Sequence, residues 1–420
     1  MEPPEIEYIY NLRRFGMKMD LSVMRELARE LGEPQNYFKS VHVTGTNGKG
    51  SVCAFVYSIL KRKYSTALYT SPHISRYTER IVVDDEEIPL DYVINFIREW
   101  KEKIEKLAKE NRNPTFFEVT TALAFKYFRD MNVDFAVVEV GLGGRLDATN
   151  IIIPEVAGIV TVDLEHTKTL GNTIEDIARE KAGIIKPNVP VVVGERKINA
   201  NRIIREIAER KHAPYHNIHE EFKFEDVKIS IEGLNFKTLS PVREYKIQIP
   251  LTGIHQLTNA AVALRIAELL EENYSITKRD IEEGLKNAKW KGRFEIKRRD
   301  PLLIFDSAHN PSAMERLVET IKVLKIKNPL FLFSMLSDKD MDSVLKKIGE
   351  VSDRIIVTEI SYEKRRASLE DIARVAHKYF SEVRKIRDPC EALNYCIERG
   401  ENTIATGSIY LLGDLEKCMG

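Results

Sequence analysis

Short apolar, β-branched runs alternate along the chain with longer stretches in which apolar residues return every three or four positions. VHV (41–43) precedes a glycine-rich turn and a helical pattern from Ser51, and a second helical pattern over Phe116–Phe128 leads into DFAVVEV. EVAGIVTV is followed by a helical pattern near Ile174, and PVVVG by another near Ala200. Such alternation predicts a mostly parallel sheet with helices on its faces. From Tyr92 to Ala108 the residues Val93, Phe96, Ile97, Trp100, Ile104 and Leu107 recur at helical spacing between charges, which predicts an amphipathic surface helix with Trp100 turned to the core. Residues 222–250 break into short, polar, strand-like pieces before LTGIHQLTNAAVALRIAELL opens a long helix. A second alternating series begins near Leu302, through LLIFDSAHNP, PLFLFSML, RIIVTEI and TIATGSIYLLGDL, and the charged segment Lys289–Asp300 reads as the link between the two series.

Length agrees with that division, because 420 residues are more than one core ordinarily organises. Hydrophobic residues make up 43% and charged residues 30%, with 64 basic against 64 acidic side chains. A net charge of zero gives no long-range pull toward nucleic acid or an anionic membrane, so neither is expected as a partner. Cys53, Cys390, Cys396 and Cys418 form no CxxC pair and no metal-like spacing; neither a disulfide framework nor a zinc site is expected. The N-terminal MEPPEIEYIYNLRRF is acidic where a signal peptide is basic, and no window reaches the roughly 18 apolar residues of a membrane span. The expectation is a cytoplasmic protein.

VHVTGTNGKGSVCAF, Val41 to Phe55, has the strand, loop and helix layout of a phosphate cradle. Small residues let backbone N–H groups face phosphate oxygens, the helix N-terminus adds partial positive charge, and Lys49 reaches the outer phosphates. The common G-x-x-x-x-G-K-[ST] form would need glycine at Val43 and a hydroxyl at Gly50, and both are missing. The hydroxyl that usually meets magnesium must then come from Ser51 or elsewhere. GLGGRLDATN, after DFAVVEV, imitates a dinucleotide fingerprint but has Leu146 at the last glycine position.

TGTNGKGS resembles the variant loop of the Mur ligase superfamily, and its folate branch of folylpolyglutamate and dihydrofolate synthases in particular. The rest of that branch's signature follows in order: TSPHISRYTERI (70–81), TFFEVTTALAF (115–125), EVGLGGRLDATN (139–150), EHTKTLGNTIEDIAREKAGIIK (165–186), GIHQLTNA (253–260), GRFE (292–295), DSAHNP (306–311) and TGSIYL (407–412). The resemblance implies an α/β fold of two domains. An N-terminal phosphate-loop ATPase-type domain with a mostly parallel sheet takes residues 1–290, a linker 291–299, and a doubly wound, Rossmann-like glutamate-ligase domain 300–420.

It also implies roles. Gly45, Thr46, Asn47, Gly48, Lys49, Gly50 and Ser51 hold ATP, joined by Asn259, Arg293 and Asp306. Ser71, Glu139 and His166 bind magnesium together with Lys181, which the family carbamylates, turning a cation into a carboxylate-like ligand. The branch often has aspartate before that histidine, where this chain has Glu165. His309, Ser408 and Arg80 face the incoming L-glutamate, while Phe116 and Asp147 help form the pterin pocket; the role of His73 stays open. Lys49, Lys181 and His309 are the expected catalytic residues. Taken singly, Glu139 equally suits a strand-end carboxylate paired with a base, Asn259 a helix-edge amide, and Lys181 an ordinary surface lysine.

The implied reaction joins L-glutamate to the carboxylate of dihydropteroate or a reduced folate. ATP phosphorylates that carboxylate and the amine then attacks the acyl phosphate, in a protein expected to be a monomer. A Mur-type ligase acting on another pterin or carboxylate is the nearest alternative. A phosphate-loop switch has no use for a second domain bearing DSAHNP, and a Rossmann oxidoreductase fails at the spacing of both glycine loops.

Overall fold

The structure is a computed structural model that describes residues 3–12, 20–110, 112–362 and 365–419; the outer limits expected for the two domains, residues 1 and 420, lie outside the described residues. The first sheet contains β1 (Lys39–Thr44), β2 (Thr66–Tyr69), β3 (Ile81–Val83), β4 (Glu86–Glu87), β5 (Phe135–Glu139), β6 (Val156–Ile159), β7 (Val191–Val193) and β8 (Tyr215–Asn217). Their order is β4-β3-β2-β5-β1-β6-β7-β8, parallel from β2 to β8 with β3 and β4 as an antiparallel edge. Central β1 pairs Val43 with Glu139 of β5 and Thr44 with Ile159 of β6. It is buried from Ser40 to Thr44, as a parallel strand covered on both faces must be.

The chain leaves β1 through the glycine loop into the helix Lys49–Leu60, which is buried at every position from Gly50 onward. A helix apolar all round needs cover on all sides. The sheet supplies one side, and the helices His255–Glu271 and Lys278–Lys286 supply others. An antiparallel meander of β9 (Lys223–Ser230), β10 (Gly233–Leu239) and β11 (Glu244–Ile249) joins the same core through Tyr245, Ile247 and Ile249, which alternate with exposed residues.

The third sheet comprises β12 (Glu295–Arg299), β13 (Leu302–Phe305), β14 (Leu330–Phe333), β15 (Arg354–Val357), β16 (Glu382–Lys385) and β17 (Thr403–Thr406), in the order β12-β13-β17-β14-β15-β16. All neighbours are parallel except β12 with β13. Because β17 lies between β13 and β14, the sheet reverses its winding there, and that is where an open α/β sheet forms its ligand crevice.

Two expectations need correction. The connector 291–299 is only partly a connector, since Glu295–Arg299 forms β12; its polar sequence hides a strand that is an edge and needs no apolar face. The cysteines are not all unpaired either, because Cys390 and Cys418 are disulfide-bonded with Cα atoms 5.5 Å apart. They lie 28 residues apart and meet because the helices Pro389–Glu398 and Ile409–Cys418 pack side by side. Cys53 and Cys396 are free and buried. Trp100 is half-buried and stacks on Phe96 at 5.8 Å. Among the described residues no helix is long and apolar enough to cross a membrane.

Candidate active site

A cleft of about 650 Å³ opens at the carboxyl ends of β1 and β5 and reaches the crevice of the third sheet; Lys49, Glu139, Arg293, Asp306, His309 and Arg316 line it. The glycine loop forms its floor. Gly48 has φ +86° and a Cβ there would stand 2.5 Å from Asn259 Oδ1, so the backbone can take this path only without a side chain. Gly50 explains the missing hydroxyl of the loop motif, because its Cβ would meet the Trp290 ring at 2.6 Å. The loop is tied down by Thr46 N–H donating to Thr161 O at 2.8 Å and Asn47 N–H donating to Thr161 Oγ1 at 2.9 Å. Lys49 Nζ curls back to Gly45 O at 3.0 Å and stands 4.0 Å from Glu139 Oε1.

Glu139 ends β5 fully buried, where desolvation pushes its carboxyl above the usual range against the pull of Lys49. Its Oε2 accepts the Ser71 backbone N–H at 3.0 Å, which brings two of the expected magnesium ligands together. His166 borders the same space from a left-handed position, φ +52°, with Nε2 3.9 Å from Glu165 Oε1. Burial holds its imidazole below the ordinary value. Lys181 closes the helix Ile174–Lys181 and is buried, and its amine is held down to about 7 by desolvation and then by the nearby Lys49 charge. A chamber of about 40 Å³ lies against Lys181, Lys49, Glu165 and His166. Among the described residues no three His, Cys, Asp or Glu side chains form a ready metal cage. The donors present, a buried carboxylate beside a serine and an imidazole, nevertheless suit a hard cation that completes its shell with phosphate oxygens.

Asn259 donates to Gln256 Oε1 at 2.8 Å and turns its own Oδ1 toward Gly48. Asp306, half-buried after β13, accepts Phe294 N–H at 2.8 Å and Ala308 N–H at 2.9 Å, which orients both oxygens. Burial raises its carboxyl, offset first by the Arg293 charge. His309 Nδ1 lies 2.9 Å from Ser307 O, leaving Nε2 3.5 Å from Glu165 Oε1. Arg80 is buried, donates from Nε to His73 Nδ1 at 2.8 Å, and lies 5.1 Å over the Phe116 ring. Asp147 lines the cleft, but its carboxylate accepts Leu142 N–H at 2.8 Å and Thr149 N–H at 3.1 Å, so it also organises its own loop.

Ser408 is buried and caps the helix Ile409–Cys418 by accepting Tyr410 N–H at 3.2 Å, and Tyr410 lines the cleft. His255, which the sequence places four residues before Asn259 on one helix face, lines the cleft half-buried, its ring held down to about 3 by desolvation; sequence reasoning did not find Arg316, which lines the cleft too. Nor did it find Lys339, which donates to Glu165 Oε1 at 2.8 Å from the other domain. No local motif marks Arg316 or Lys339, because assembly alone brings them in.

The fold and cleft define a two-domain, phosphate-loop ligase. A model of the Mur ligase middle domain matches residues 43–267, and a model of the Mur ligase glutamate ligase domain matches residues 292–408. The dihydrofolate synthase/folylpolyglutamate synthase of Bacillus subtilis (strain 168) is 36% identical, covering 98% of this chain and 97% of its own. The folylpolyglutamate synthase structure of Thermotoga maritima superposes with a TM-score of 0.87 at 36% identity, covering 98% of this chain and 96% of that one. That of Mycobacterium tuberculosis, complexed with ADP, gives 0.90 at 30% identity over 99% of each. The chain belongs to the Mur ligase family, among its folylpolyglutamate and dihydrofolate synthases, and is an ATP-dependent glutamate ligase. The resemblance carried by the ordered motifs is borne out, and the switch and oxidoreductase alternatives fall away.

Proposed function

We propose that residues 1–290 bind ATP and the acceptor, that residues 300–420 bind L-glutamate, and that the acceptor is dihydropteroate or a reduced folate. Gly45 to Ser51 hold the triphosphate and Lys49 neutralises charge on the transferring phosphoryl group, work done by position and electrostatics. Asn259, Arg293 and Asp306 complete the nucleotide site from the helix, the segment before β12 and the end of β13. Magnesium, held by Ser71, Glu139 and His166, supplies charge compensation at the phosphate oxygens.

Lys181 joins them as a carbamate. Its uncharged amine adds carbon dioxide and loses a proton, giving a carboxylate-like oxygen donor in place of a cation. An amine held down to about 7 and a neighbouring chamber of about 40 Å³ support this. Phosphoryl transfer converts the acceptor carboxylate to an acyl phosphate, and the glutamate amine attacks it, releasing phosphate and forming the amide. Arg80 and His309 receive the amino acid, and Phe116 and Asp147 border the pterin. The enzyme works as a cytoplasmic monomer.

What carries the reading is the convergence in one cleft of Lys49 and Glu139 with Arg293, Asp306 and His309. The test is phosphate release with ATP, magnesium and glutamate, comparing dihydropteroate, tetrahydrofolate and no acceptor, with products weighed by mass spectrometry. A gain of one glutamate on either acceptor establishes the ligase and identifies its acceptor; release indifferent to both sinks the folate assignment.

A further inference from the structure

We infer that the loop Asp163–His166, which follows β6, is the catch that holds the two domains shut over the activated carboxyl group, with Ser312 and Lys339 as its counterparts on the C-terminal domain. The inference rests on the ligase reading above. Ser312, in the first turn of the helix Pro311–Val323, accepts Asn47 Nδ2–H at 2.7 Å and donates its hydroxyl to Asp163 Oδ2 at 3.1 Å. Asn310, the cap of that helix, donates to Asn47 Oδ1 at 3.2 Å. Asp163 is fixed from its own domain: its N–H donates to Thr46 Oγ1 at 2.9 Å and Lys197 Nζ donates to its Oδ1 at 2.7 Å.

Two residues on, Glu165 receives Lys339 at 2.8 Å and faces His309 at 3.5 Å. The Lys339 and Glu165 side chains are only 13% and 14% exposed, so this pair is not the solvated kind that contributes little. Two carboxylates on one short loop therefore each take a donor from the other domain. The loop also touches the phosphate cradle through Thr46 and ends at His166.

The chemistry gives such a catch something to decide. Amine attack on the acyl phosphate forms the amide and releases phosphate. Water attack on the same carbon restores the acceptor carboxylate and also releases phosphate, so ATP is spent without product. Only a shut cleft favours the first outcome. Ser312 and Lys339 are positioning residues, and their signature is the ratio of phosphate released to amide formed.

That ratio is the readout for Ser312→Ala, Lys339→Met, the double variant and Ser312→Thr, each checked for native circular dichroism. A single lost hydrogen bond predicts about a threefold to tenfold rise in the ratio for each single variant, a larger rise for the double, and return toward wild type for Ser312→Thr. If the double variant does not fold, Ser312→Ala, at a half-buried helix start, carries the comparison. A wild-type ratio in both single variants overturns the inference, even if their amide rates fall. Absence of amide from the wild-type enzyme with every acceptor would overturn the ligase reading instead.

Discussion

Glu139 Oε2 accepts the backbone N–H of Ser71 at 3.0 Å, while Lys49 Nζ stands 4.0 Å from its other oxygen. In the function proposed above, this carboxylate, buried at a strand end, exchanges its lysine contact for a cation and phosphate. Glu139→Gln keeps the shape and removes the charge. We expect magnesium-dependent kcat to fall about 10²- to 10³-fold, the order seen when one electrostatic contact to transferring charge is lost. Circular dichroism should stay unchanged. Steady-state kinetics across a magnesium titration checks this, and a near-normal rate at saturating magnesium removes Glu139 from the metal site.

Gly50 gives a prediction opposite to motif logic. Gly50→Ser restores the hydroxyl of the ordinary phosphate loop, but its Cβ would stand 2.6 Å from the Trp290 ring. Overpacking of that kind costs about 1–3 kcal/mol. Thermal melting should therefore show Gly50→Ser destabilised, and Trp290→Ala in the same chain should recover part of the loss. An unchanged melting temperature for Gly50→Ser would mean that Trp290 yields freely.

Much of this site was legible because its chemistry sits where strands end. Lys49, Glu139 and Asp306 each follow an apolar run that reads as a buried strand, and each faces the cleft. What escaped was of two kinds. Polar edge strands such as Glu295–Arg299 and Glu382–Lys385 carry no apolar alternation, since neither face is deeply buried. Pairings such as Glu165 with Lys339, 174 residues apart, exist only once two domains meet.

The disulfide ties the last helix to its neighbour. A loop of 28 residues closed by Cys390 and Cys418 is worth about 3–4 kcal/mol in the chain-entropy account. Reduction, or Cys390→Ser, should lower the melting temperature, and in Cys390→Ser a reducing agent should have no further effect. Equal melting of the oxidised and reduced wild type would show that packing of the two helices already supplies the constraint.

Lys181 supplies a prediction whose sign follows from its burial. Its amine is held down to about 7 in the folded protein from an ordinary 10.5. Between those values the unfolded chain binds the proton and the folded one does not, so stability rises with pH across that window. The penalty is fully present below about 7 and is relieved as pH climbs toward 10.5. In carbon dioxide-free buffer the wild type should gain a few kcal/mol, as an order of magnitude, from pH 7 to pH 10, and Lys181→Met should lack that gain. Bicarbonate should change the picture, because a carbamate removes the titrating amine; it should flatten the slope and raise turnover together. Lys181→Ala should be nearly inactive and recover in part with added short carboxylates that occupy the vacated chamber. Denaturant melts at several pH values, with and without bicarbonate, check the linkage. Full activity of Lys181→Ala without any added carboxylate would exclude the lysine from the metal site, whatever the melts report.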